Sequence, residues 1–389
     1  MNKILVINEM LHYGGAEIYF NNLINILSSK GFEVKGLVLN KKNYNSSEQI
    51  SLIDCSGKLN KICYNFKLSK KIKKIIIDFK PDIIILNNVF SGYLSVYHAL
   101  KQFNVIQVVH DCKIFCPKYS ADYLYKNKKC SGENCLKCTR CEGIKNVPQM
   151  FFRYLLMKRT LSLRKKYTFV SPSEILNENL IKRRYDSVCI NNPIHKFSFA
   201  KCLNFNEKKF QFTYVGLICE EKGIFNFIKT CNEMENFNMI IIGGCKTNKD
   251  ANILSQLISE NKHIKWLKKQ THEETLKYIS LSKFLVVPSK WFENYPTVIL
   301  EAMSLKTFVI GSDRGGIPNM LSNNKGLVFE YDNKTQILEI VKKATEITEE
   351  EYNETVNNAF QYVNNNNNID VFFERFNRLM IEVLDNYAR

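Results

Sequence analysis

Two glutamates stand eight residues apart in the segment VVPSKWFENYPTVILEA, which covers residues 286 to 302. The apolar run from Phe284 to Val287 predicts a buried strand, and Pro296 suits the first turn of a helix that follows it. Glu293 then lies in the turn between these elements, and Glu301 lies on the helix. At the helical rise, this spacing would separate the two carboxylates by about 12 Å.

Backbone N–H groups lie between the two carboxylates at the start of the predicted helix. The amides of Tyr295, Thr297 and Val298 have no partner inside the helix, and a helix N-terminus attracts negative charge. The gap suits a diphosphate. The residues predicted to bind it are Asn294, Tyr295, Pro296, Thr297 and Val298.

A nucleotide sugar has the same layout as this segment, with sugar hydroxyl groups at one end, two phosphates in the middle and a ribose diol at the other end. Carboxylates bind diols by accepting their hydrogen bonds. With Pro-Ser before it and Glu-Ala-Met after it, the segment resembles the E-x7-E motif of retaining GT-B glycosyltransferases, specifically the large GT4-type family of glycosyl transferases group 1. The alternative interpretation is that Glu293 is a solvated loop charge and Glu301 an exposed helix residue.

The resemblance implies transfer of a sugar from a nucleoside diphosphate sugar with retention of the anomeric configuration. It implies that Glu293 positions the donor sugar and that Glu301 binds the ribose. The leaving phosphate oxygen is expected to take the acceptor proton, because no dedicated general base stands out. We expect the acceptor to be a cell-surface polysaccharide or a lipid-linked oligosaccharide.

Two motifs in the first half of the chain agree in order with the same family. The sequence Gly14-Gly15-Ala16-Glu17 follows the first predicted strand and opens a helix, and glycines let a backbone approach a ligand closely. This motif looks like the amino-terminal loop of the family, so Gly14 and Gly15 would border donor phosphate and acceptor. His110 ends the fourth predicted strand, and the resemblance implies that it touches the donor sugar. The alternatives are an ordinary turn and a structural histidine.

In the second half, Lys222 follows a predicted strand that ends at Gly216, which we include among the donor-binding residues. A lysine beside a helix N-terminus neutralises a leaving diphosphate as a point charge. Family members place a basic residue directly after the glycine, whereas this chain has Leu217. Lys222 therefore acts alone, or Arg314 or another base substitutes.

Two further departures from the family pattern lie away from the carboxylate pair. Lys306 stands where a glycine or small residue is usual in a turn, and Asn319 stands where glutamate is commoner. The sequence contains no D-x-D triplet, so the Mg-dependent GT-A alternative lacks its metal ligands. We expect catalysis to need no divalent metal, with Lys222 and helix N-termini neutralising the charge.

Short apolar strands alternate with helical patterns in both halves, which predicts parallel sheets covered by helices on both faces. The predicted strands are residues 3–7, 34–39, 82–86, 105–110 and 168–171, and then 212–216, 239–243, 264–267, 284–288, 308–311 and 326–329. The expected fold class is α/β, of GT-B type: two doubly wound Rossmann-like domains facing across a cleft, with a Cys-rich insertion in the first.

The length of 389 residues predicts two domains. We place the first at residues 1–200, with the insertion at about 112–141, and the second at 205–368, with the boundary within 196–209. The resemblance implies that a closing helix, 369–389, packs back on the first domain. Apolar residues recur along it at helical spacing and should be buried: Phe372, Phe376, Leu379, Met380 and Val383.

The net charge of +17 is unevenly placed. Residues 1–200 hold 32 Lys and Arg against 14 Asp and Glu, whereas residues 201–389 hold 23 against 24. A basic half attracts nucleic acid, anionic lipid or an acidic substrate. Basic clusters at Lys70–Lys74 and within residues 151–166 indicate either a membrane-surface helix or a helix with one buried face.

No apolar run approaches the roughly 18 residues needed to span a membrane, and the first ten residues lack a signal-peptide pattern. We therefore expect a cytoplasmic protein, peripheral on the inner face of the cell membrane. In that compartment the 13 cysteines should be mostly reduced.

Six cysteines fall between Cys112 and Cys141, and the last four are Cys130, Cys135, Cys138 and Cys141. Their spacing of two to four intervening residues suits a tetrahedral zinc site. Three of them also resemble part of an iron–sulfur run, with Cys116 as the fourth thiolate, but zinc is favoured. The alternative is a set of reduced thiols without a metal.

Two rival functions stay open. One is a catalytically silent protein that binds a nucleotide sugar, motivated by Leu217. The other is a zinc-containing nucleic-acid-binding protein, motivated by the cysteines and the positive charge. Common nucleic-acid binders show a helix-turn-helix, RNP aromatics or finger spacing with paired histidines, and none is visible here, so we expect no nucleic acid as a partner.

If Cys130, Cys135, Cys138 and Cys141 share one ion, the purified protein should carry about one zinc per chain, as a closed four-ligand site does. Cys138→Ser should release the metal, whereas Cys63→Ser, outside the cluster, should retain it. Elemental analysis under reducing conditions that finds neither zinc nor iron would leave the cysteines as free thiols.

Overall fold

The computed structural model describes residues 1–10, 15–40, 49–54, 63–89, 94–115, 147–195, 201–235 and 237–388. The chain divides into two compact units: unit 1 is Met1–Asn192 with Phe372–Arg389, and unit 2 is Pro193–Val371. The change of unit at Pro193 comes before the polar stretch 196–209 in which the sequence analysis placed it. The end of that stretch belongs to unit 2 because the buried Lys208 donates hydrogen bonds to Ser280 O and Thr307 Oγ1.

Unit 1 contains a sheet in which every pair of neighbouring strands is parallel, in the order β3-β2-β1-β4-β5-β6-β7. Its strands are β1 (Lys3–Asn8), β2 (Glu33–Val38), β3 (Ile50–Leu52), β4 (Ile83–Asn87), β5 (Val105–Val108), β6 (Thr168–Ser171) and β7 (Ser187–Cys189). Its described helices are α1 (Gly15–Ser29), α2 (Phe66–Phe79), α3 (Leu94–Leu100), α4 (Val147–Leu163) and α5 (Glu174–Ile181). All five residues of β4 are buried, as expected for a parallel strand covered on both faces.

Unit 2 contains a second all-parallel sheet, in the order β10-β9-β8-β11-β12-β13. Its strands are β8 (Phe210–Val215), β9 (Met239–Ile242), β10 (Ile264–Trp266), β11 (Ser282–Val287), β12 (Phe308–Ser312) and β13 (Leu327–Phe329). Its described helices are α6 (Ile224–Cys231), α7 (Asn248–Ser259), α8 (His272–Ser280), α9 (Thr297–Ser304), α10 (Ile317–Leu321), α11 (Lys334–Glu346) and α12 (Glu349–Asn366).

The central strand β11 packs a different core on each of its faces because successive side chains of a strand point in opposite directions. Phe284 and Val286 join an aromatic-rich cluster on one face. Leu285 and Val287 join an aliphatic cluster that includes Ile299 of α9 on the other. The helix that carries Glu301 is thereby fixed against the strand that precedes Glu293.

The strand order reverses direction once in each unit, between β1 and β4 and between β8 and β11. In doubly wound sheets, ligands bind outside the carboxyl ends of the strands at such a switch point. The two predicted Rossmann-like sheets are thus confirmed, and all eleven predicted strands are present within a few residues. The two strands that were not predicted, β3 and β7, are three-residue edge strands, too short to show an apolar pattern.

The last helix, α13, spans Ile369–Ala388. The five apolar residues predicted to be buried on it are buried. The Phe372 ring packs edge-on against Tyr19 and the Phe373 ring lies 6.1 Å from that of Phe32, both within unit 1. The predicted Cys-rich insertion, with Cys130, Cys135, Cys138 and Cys141, lies outside the described residues.

Within the described part of the chain, every helix is too short or too polar to cross a membrane.

Candidate functional site

Two loops meet at the switch point of unit 2. The loop after β8 ends in a short 3-10 turn, Glu220–Lys222, and the loop after β11 carries Ser289 and Glu293. Lys222 Nζ lies 2.6 Å from Glu293 Oε1, and Ser289 Oγ donates a hydrogen bond of 2.7 Å to the same oxygen. Glu293 is only 9% exposed, so this carboxylate is held by a cation and a hydroxyl in a site with little water.

The sequence analysis did not predict Ser289, although it noted the Pro-Ser dipeptide before the glutamates. Ser289 is 2% exposed, and its carbonyl accepts a 2.7 Å hydrogen bond from Ser312 Oγ at the end of β12. The strands β8, β11 and β12 therefore each contribute to the support of Glu293. Of these contacts, only the hydrogen bond between Ser289 and Glu293 joins residues that are close in sequence.

Glycines allow the loops of this site to touch backbone to backbone. Gly315 has a φ of +65°, and a Cβ on it would lie 1.9 Å from Glu293 O. Gly223 has a φ of +72°, and a Cβ on it would lie 1.8 Å from Pro288 O. Glu293 O also accepts a 2.7 Å hydrogen bond from Gly316 N. Any other residue at 223 or 315 would push the loops apart.

Two more ion pairs brace the turn that carries Lys222. Glu220 pairs with Lys290 at 2.9 Å and Glu221 pairs with Lys246 at 2.6 Å. The Lys246 ammonium lowers the pKa of Glu221 to about 2. The carbonyl of Glu221 also accepts hydrogen bonds from the amides of Lys290 and Trp291. The turn is thus tied to the loops after β9 and β11.

The helix α9 begins beside Glu293. Its N-cap residue is Pro296, which makes no side-chain capping hydrogen bond, and Thr297 and Val298 of its first turn are partly exposed. Such first-turn amides attract anions. Asn294 and Tyr295 are buried, and Asn367 Nδ2 donates to the Tyr295 hydroxyl at 3.0 Å. The side chain of Tyr295 therefore anchors the loop.

Glu301 lies on α9 and is bonded to a residue that sequence reasoning missed. His272 Nε2 lies 2.9 Å from Glu301 Oε1. This hydrogen bond raises the pKa of His272 above its ordinary value. His272 opens the helix α8, and the only sequence signal for it is the capping box formed by Thr271 and Glu274.

The departures from the family pattern have structural counterparts. The Leu217 side chain is 46% exposed, and its carbonyl accepts a hydrogen bond from the Tyr214 hydroxyl. Arg314 lies 3.3 Å from Asp313 and 3.7 Å from Asp332, so two carboxylates balance its charge. Lys306 has a φ of +53°, which explains why a glycine is usual there.

In unit 1, His110 lies two residues beyond β5, near the switch point. Its Nε2 lies 2.6 Å from Asn87 Oδ1, and Asn87 Nδ2 in turn donates to Asn8 Oδ1 at 3.1 Å and to Ala16 O at 2.9 Å. The Tyr19 ring packs edge-on against the imidazole, with the centroids 4.9 Å apart. These asparagines, which were not predicted, orient His110.

The predicted site residues divide between the units. His110 and Gly15, which opens α1, belong to unit 1, and Gly14 lies outside the described residues. In unit 2, Lys222 and Glu293 are in contact, Gly216 follows β8, and Glu301 lies about one turn into α9.

Gly315→Ala should lower the free energy of unfolding of unit 2 by about 1–2 kcal/mol from the left-handed backbone alone, and further through the clash with Glu293 O. Gly244→Ala is the matched control, since a Cβ there meets nothing within 4 Å. Both tryptophans, Trp266 and Trp291, lie in unit 2, so urea unfolding followed by tryptophan fluorescence reports on this unit. Equal midpoints for the two variants would contradict the close approach.

Comparison with known proteins agrees with this geometry. Residues 196–362 match the family described as glycosyl transferases group 1. A curated relative, an uncharacterized 42.6 kDa protein in the cps region of Klebsiella pneumoniae, is 25% identical over 301 residues, which is 73% of this chain and 69% of that protein.

Solved structures with a similar fold align with nearly the whole chain. Sucrose-phosphate synthase from Thermosynechococcus elongatus has a TM-score of 0.76 at 14% identity and covers 99% of this chain and 100% of its own. Anabaena HepE in complex with UDP has a TM-score of 0.75 at 13% identity, with coverage of 98% and 100%, and it has also been solved with UDP-glucose. The match over residues 196–362 to glycosyl transferases group 1 bears out the resemblance to that family, and the chain has the GT-B fold.

Proposed function

We propose that this protein transfers a sugar, with retention of configuration, from a nucleoside diphosphate sugar to a cell-surface polysaccharide or a lipid-linked oligosaccharide. The observation that carries the proposal is the contact between Lys222 and Glu293 at the switch point of unit 2, beside the N-terminus of α9. A cation and helix amides suit the diphosphate of a sugar diphosphate, and a buried carboxylate suits the hydroxyl groups of its sugar.

The arrangement of unit 2 matches the parts of a nucleotide sugar in order. Glu301 is assigned to the ribose diol, the amides of Thr297 and Val298 with Lys222 to the diphosphate, and Glu293 to the sugar hydroxyl groups. Lys222 is about one-third exposed, so a ligand can reach it. The complexes of HepE with UDP and UDP-glucose support this class of ligand.

In the proposed reaction, the bond between the sugar and the diphosphate breaks while negative charge develops on the leaving phosphate. Lys222 and the α9 amides stabilise that charge where it forms. Glu293, held in place by Ser289, accepts hydrogen bonds from the sugar. The acceptor oxygen forms the new bond to the anomeric carbon on the face that the diphosphate leaves, and the leaving phosphate oxygen takes the proton of the acceptor hydroxyl, which gives retention. His110 is assigned a contact with the donor sugar. In this proposal, catalysis needs no divalent metal.

Leu217 favours a second candidate, a catalytically silent protein that binds a nucleotide sugar. An exposed leucine stands where the family has a second phosphate-binding base, and Arg314 is engaged by Asp313 and Asp332. The remaining phosphate contacts would then be enough to bind the nucleotide sugar. The transition state would lack one of the cations that stabilise its negative charge. Multiple-turnover release of the nucleoside diphosphate separates this candidate from an active enzyme.

We further propose that the protein is cytoplasmic and binds the membrane peripherally. Exposed residues of α2 would contact the membrane surface. Phe66 and Ile77, which are 66% and 60% exposed, lie on one face of that helix with Lys70 and Lys74 at helical spacing. Apolar side chains among lysines are typical of helices that rest on anionic membranes. Within the other basic cluster, Arg164 is 2% exposed and lies over the Tyr97 ring, so it is a core residue and cannot contact lipid.

One of UDP, GDP and ADP should bind, and Lys222→Met should weaken that binding at least about tenfold, because a hydrogen bond to a charged group contributes about 1.5–3 kcal/mol. Lys334→Met is the matched control, since Lys334 forms an exposed pair with Glu233 in the same unit. Isothermal titration calorimetry measures both variants. No binding of any diphosphate at millimolar concentration would refute the proposal.

Glu293→Gln should keep diphosphate binding and lose most sugar transfer, because an amide retains the size of the side chain but removes the charge that faces the sugar. A panel of sugar nucleotides with a lipid extract as acceptor measures transfer, and calorimetry measures binding. Equal loss of both would assign Glu293 a structural role.

Replacement of Lys70, Lys71, Lys73 and Lys74 by Gln in the full chain should release it from vesicles of phosphatidylglycerol and phosphatidylcholine. Each lysine near an anionic surface contributes about 1 kcal/mol. The matched control replaces four exposed lysines of unit 2: Lys262, Lys265, Lys268 and Lys269. Sedimentation should also show loss of binding at high salt, since the Debye length falls to about 3 Å at 1 M.

Vesicle binding that ignores salt and lipid charge would contradict the electrostatic mechanism. Tighter binding to RNA than to vesicles would favour a nucleic-acid-binding function.

A further inference from the structure

The carboxylate assigned to the ribose does not stand alone. Glu301 is held by His272, which lies on a different helix and 29 residues away in sequence. The Nε2–Oε1 distance is 2.9 Å, and the side-chain exposures are 62% for His272 and 16% for Glu301. The histidine therefore covers one oxygen of the carboxylate from the solvent side.

The position of His272 is fixed by the start of α8. The Thr271 hydroxyl accepts a hydrogen bond from Glu274 N, and the Glu274 carboxylate accepts one from Thr271 N. This capping box sets the direction in which the helix begins. His272 is the first residue after the cap, and α8 packs against α9, so the imidazole is directed at Glu301 by two rigid elements.

A carboxylate that binds a diol must present its oxygens in one orientation. A glutamate side chain that no neighbour holds samples several rotamers, and ordering it on binding reduces affinity. The hydrogen bond to Oε1 fixes the plane of the Glu301 carboxylate and leaves Oε2 for a ligand. We propose that His272 is a positioning residue that orients Glu301 toward the 2′- and 3′-hydroxyl groups of the nucleotide. This inference rests on the proposed function of unit 2.

The contact also depends on protonation. Glu301 is the titratable group that faces His272 from α9, whereas Glu273 is paired with Lys277 on α8 and Glu274 is engaged in the cap. Of the strands packed against α8, β11 contributes Lys283, which lies over the Phe205 ring, and β8 contributes Tyr214, whose hydroxyl donates to Leu217 O.

Protonated His272 donates from Nε2 and carries a positive charge. The neutral ring donates in only one of its tautomers. Because Glu301 raises the pKa of His272, the favourable form persists at low pH and is lost as pH rises through that raised value. Binding of the ribose should weaken in the same direction.

The test compares UDP with 2′,3′-dideoxy-UDP by calorimetry at about pH 6 and about pH 9, on either side of the histidine titration. GDP and its dideoxy form replace them if the guanine nucleotide is the one that binds. The dissociation constant of dideoxy-UDP divided by that of UDP measures the contribution of the ribose hydroxyl groups, because both probes share the base and the diphosphate. In the wild-type protein the ratio should be larger at the lower pH.

His272→Ala should lower that ratio about fivefold, within the range expected for the net contribution of one hydrogen bond, with little effect on dideoxy-UDP binding. His272→Gln should restore part of it, since the Gln amide donates from a similar position, and should remove the pH dependence. His263→Ala, at an exposed histidine of the same unit, should behave as wild type. Melting temperatures verify that each variant is folded.

An unchanged ratio in His272→Ala, with normal UDP binding, would overturn the role of His272 and leave the proposed function intact. Equal weakening of UDP and dideoxy-UDP would also overturn it, because the effect would not pass through the ribose. A wild-type protein that binds no nucleoside diphosphate would overturn the proposed function and this role together.

Discussion

Two glycines, which lack a Cβ, let the loops of the candidate site in unit 2 pack backbone against backbone. Gly223 lies against Pro288 O and Gly315 against Glu293 O, both in left-handed conformations. These contacts bring the loops after β8, β11 and β12 close enough for Lys222 to reach Glu293 at 2.6 Å. With a side chain at either glycine, the loops would separate and the ion pair would lengthen. The electrostatics of the site therefore depend on close packing of backbone.

The charges of the site are balanced before any ligand arrives. Glu293 is buried with Lys222 as its cation and Ser289 as its hydroxyl partner. Removal of Lys222 would leave the charge of the buried Glu293 carboxylate uncompensated. A ligand that carries negative charge at Lys222 and hydroxyl groups at Glu293 satisfies both members at once. That requirement is the physical basis for assigning a sugar diphosphate to this place.

The strands could be predicted because the central strands of both sheets are apolar runs buried on two faces, such as Ile83–Asn87 and Ser282–Val287. The edge strands Ile50–Leu52 and Ser187–Cys189 could not, since three half-exposed residues carry no such pattern. The positions of Glu293, Glu301 and Lys222 relative to strands and helices also followed from the sequence, through the resemblance to a family with the same motif.

The sequence by itself determined the parallel α/β class, the two sheets and the placement of Glu293, Glu301 and Lys222 at their strand and helix ends, because apolar periodicity and short motifs are local. Only the tertiary structure decided which side chains support them. Ser312 reaches Ser289, His272 reaches Glu301 and Asn87 reaches His110 across 23 or more residues of chain. The buried Arg164 likewise shows that a basic cluster in sequence divides between core and surface. Such contacts arise when parallel strands place the ends of distant segments at one edge of a sheet, and no local pattern records them.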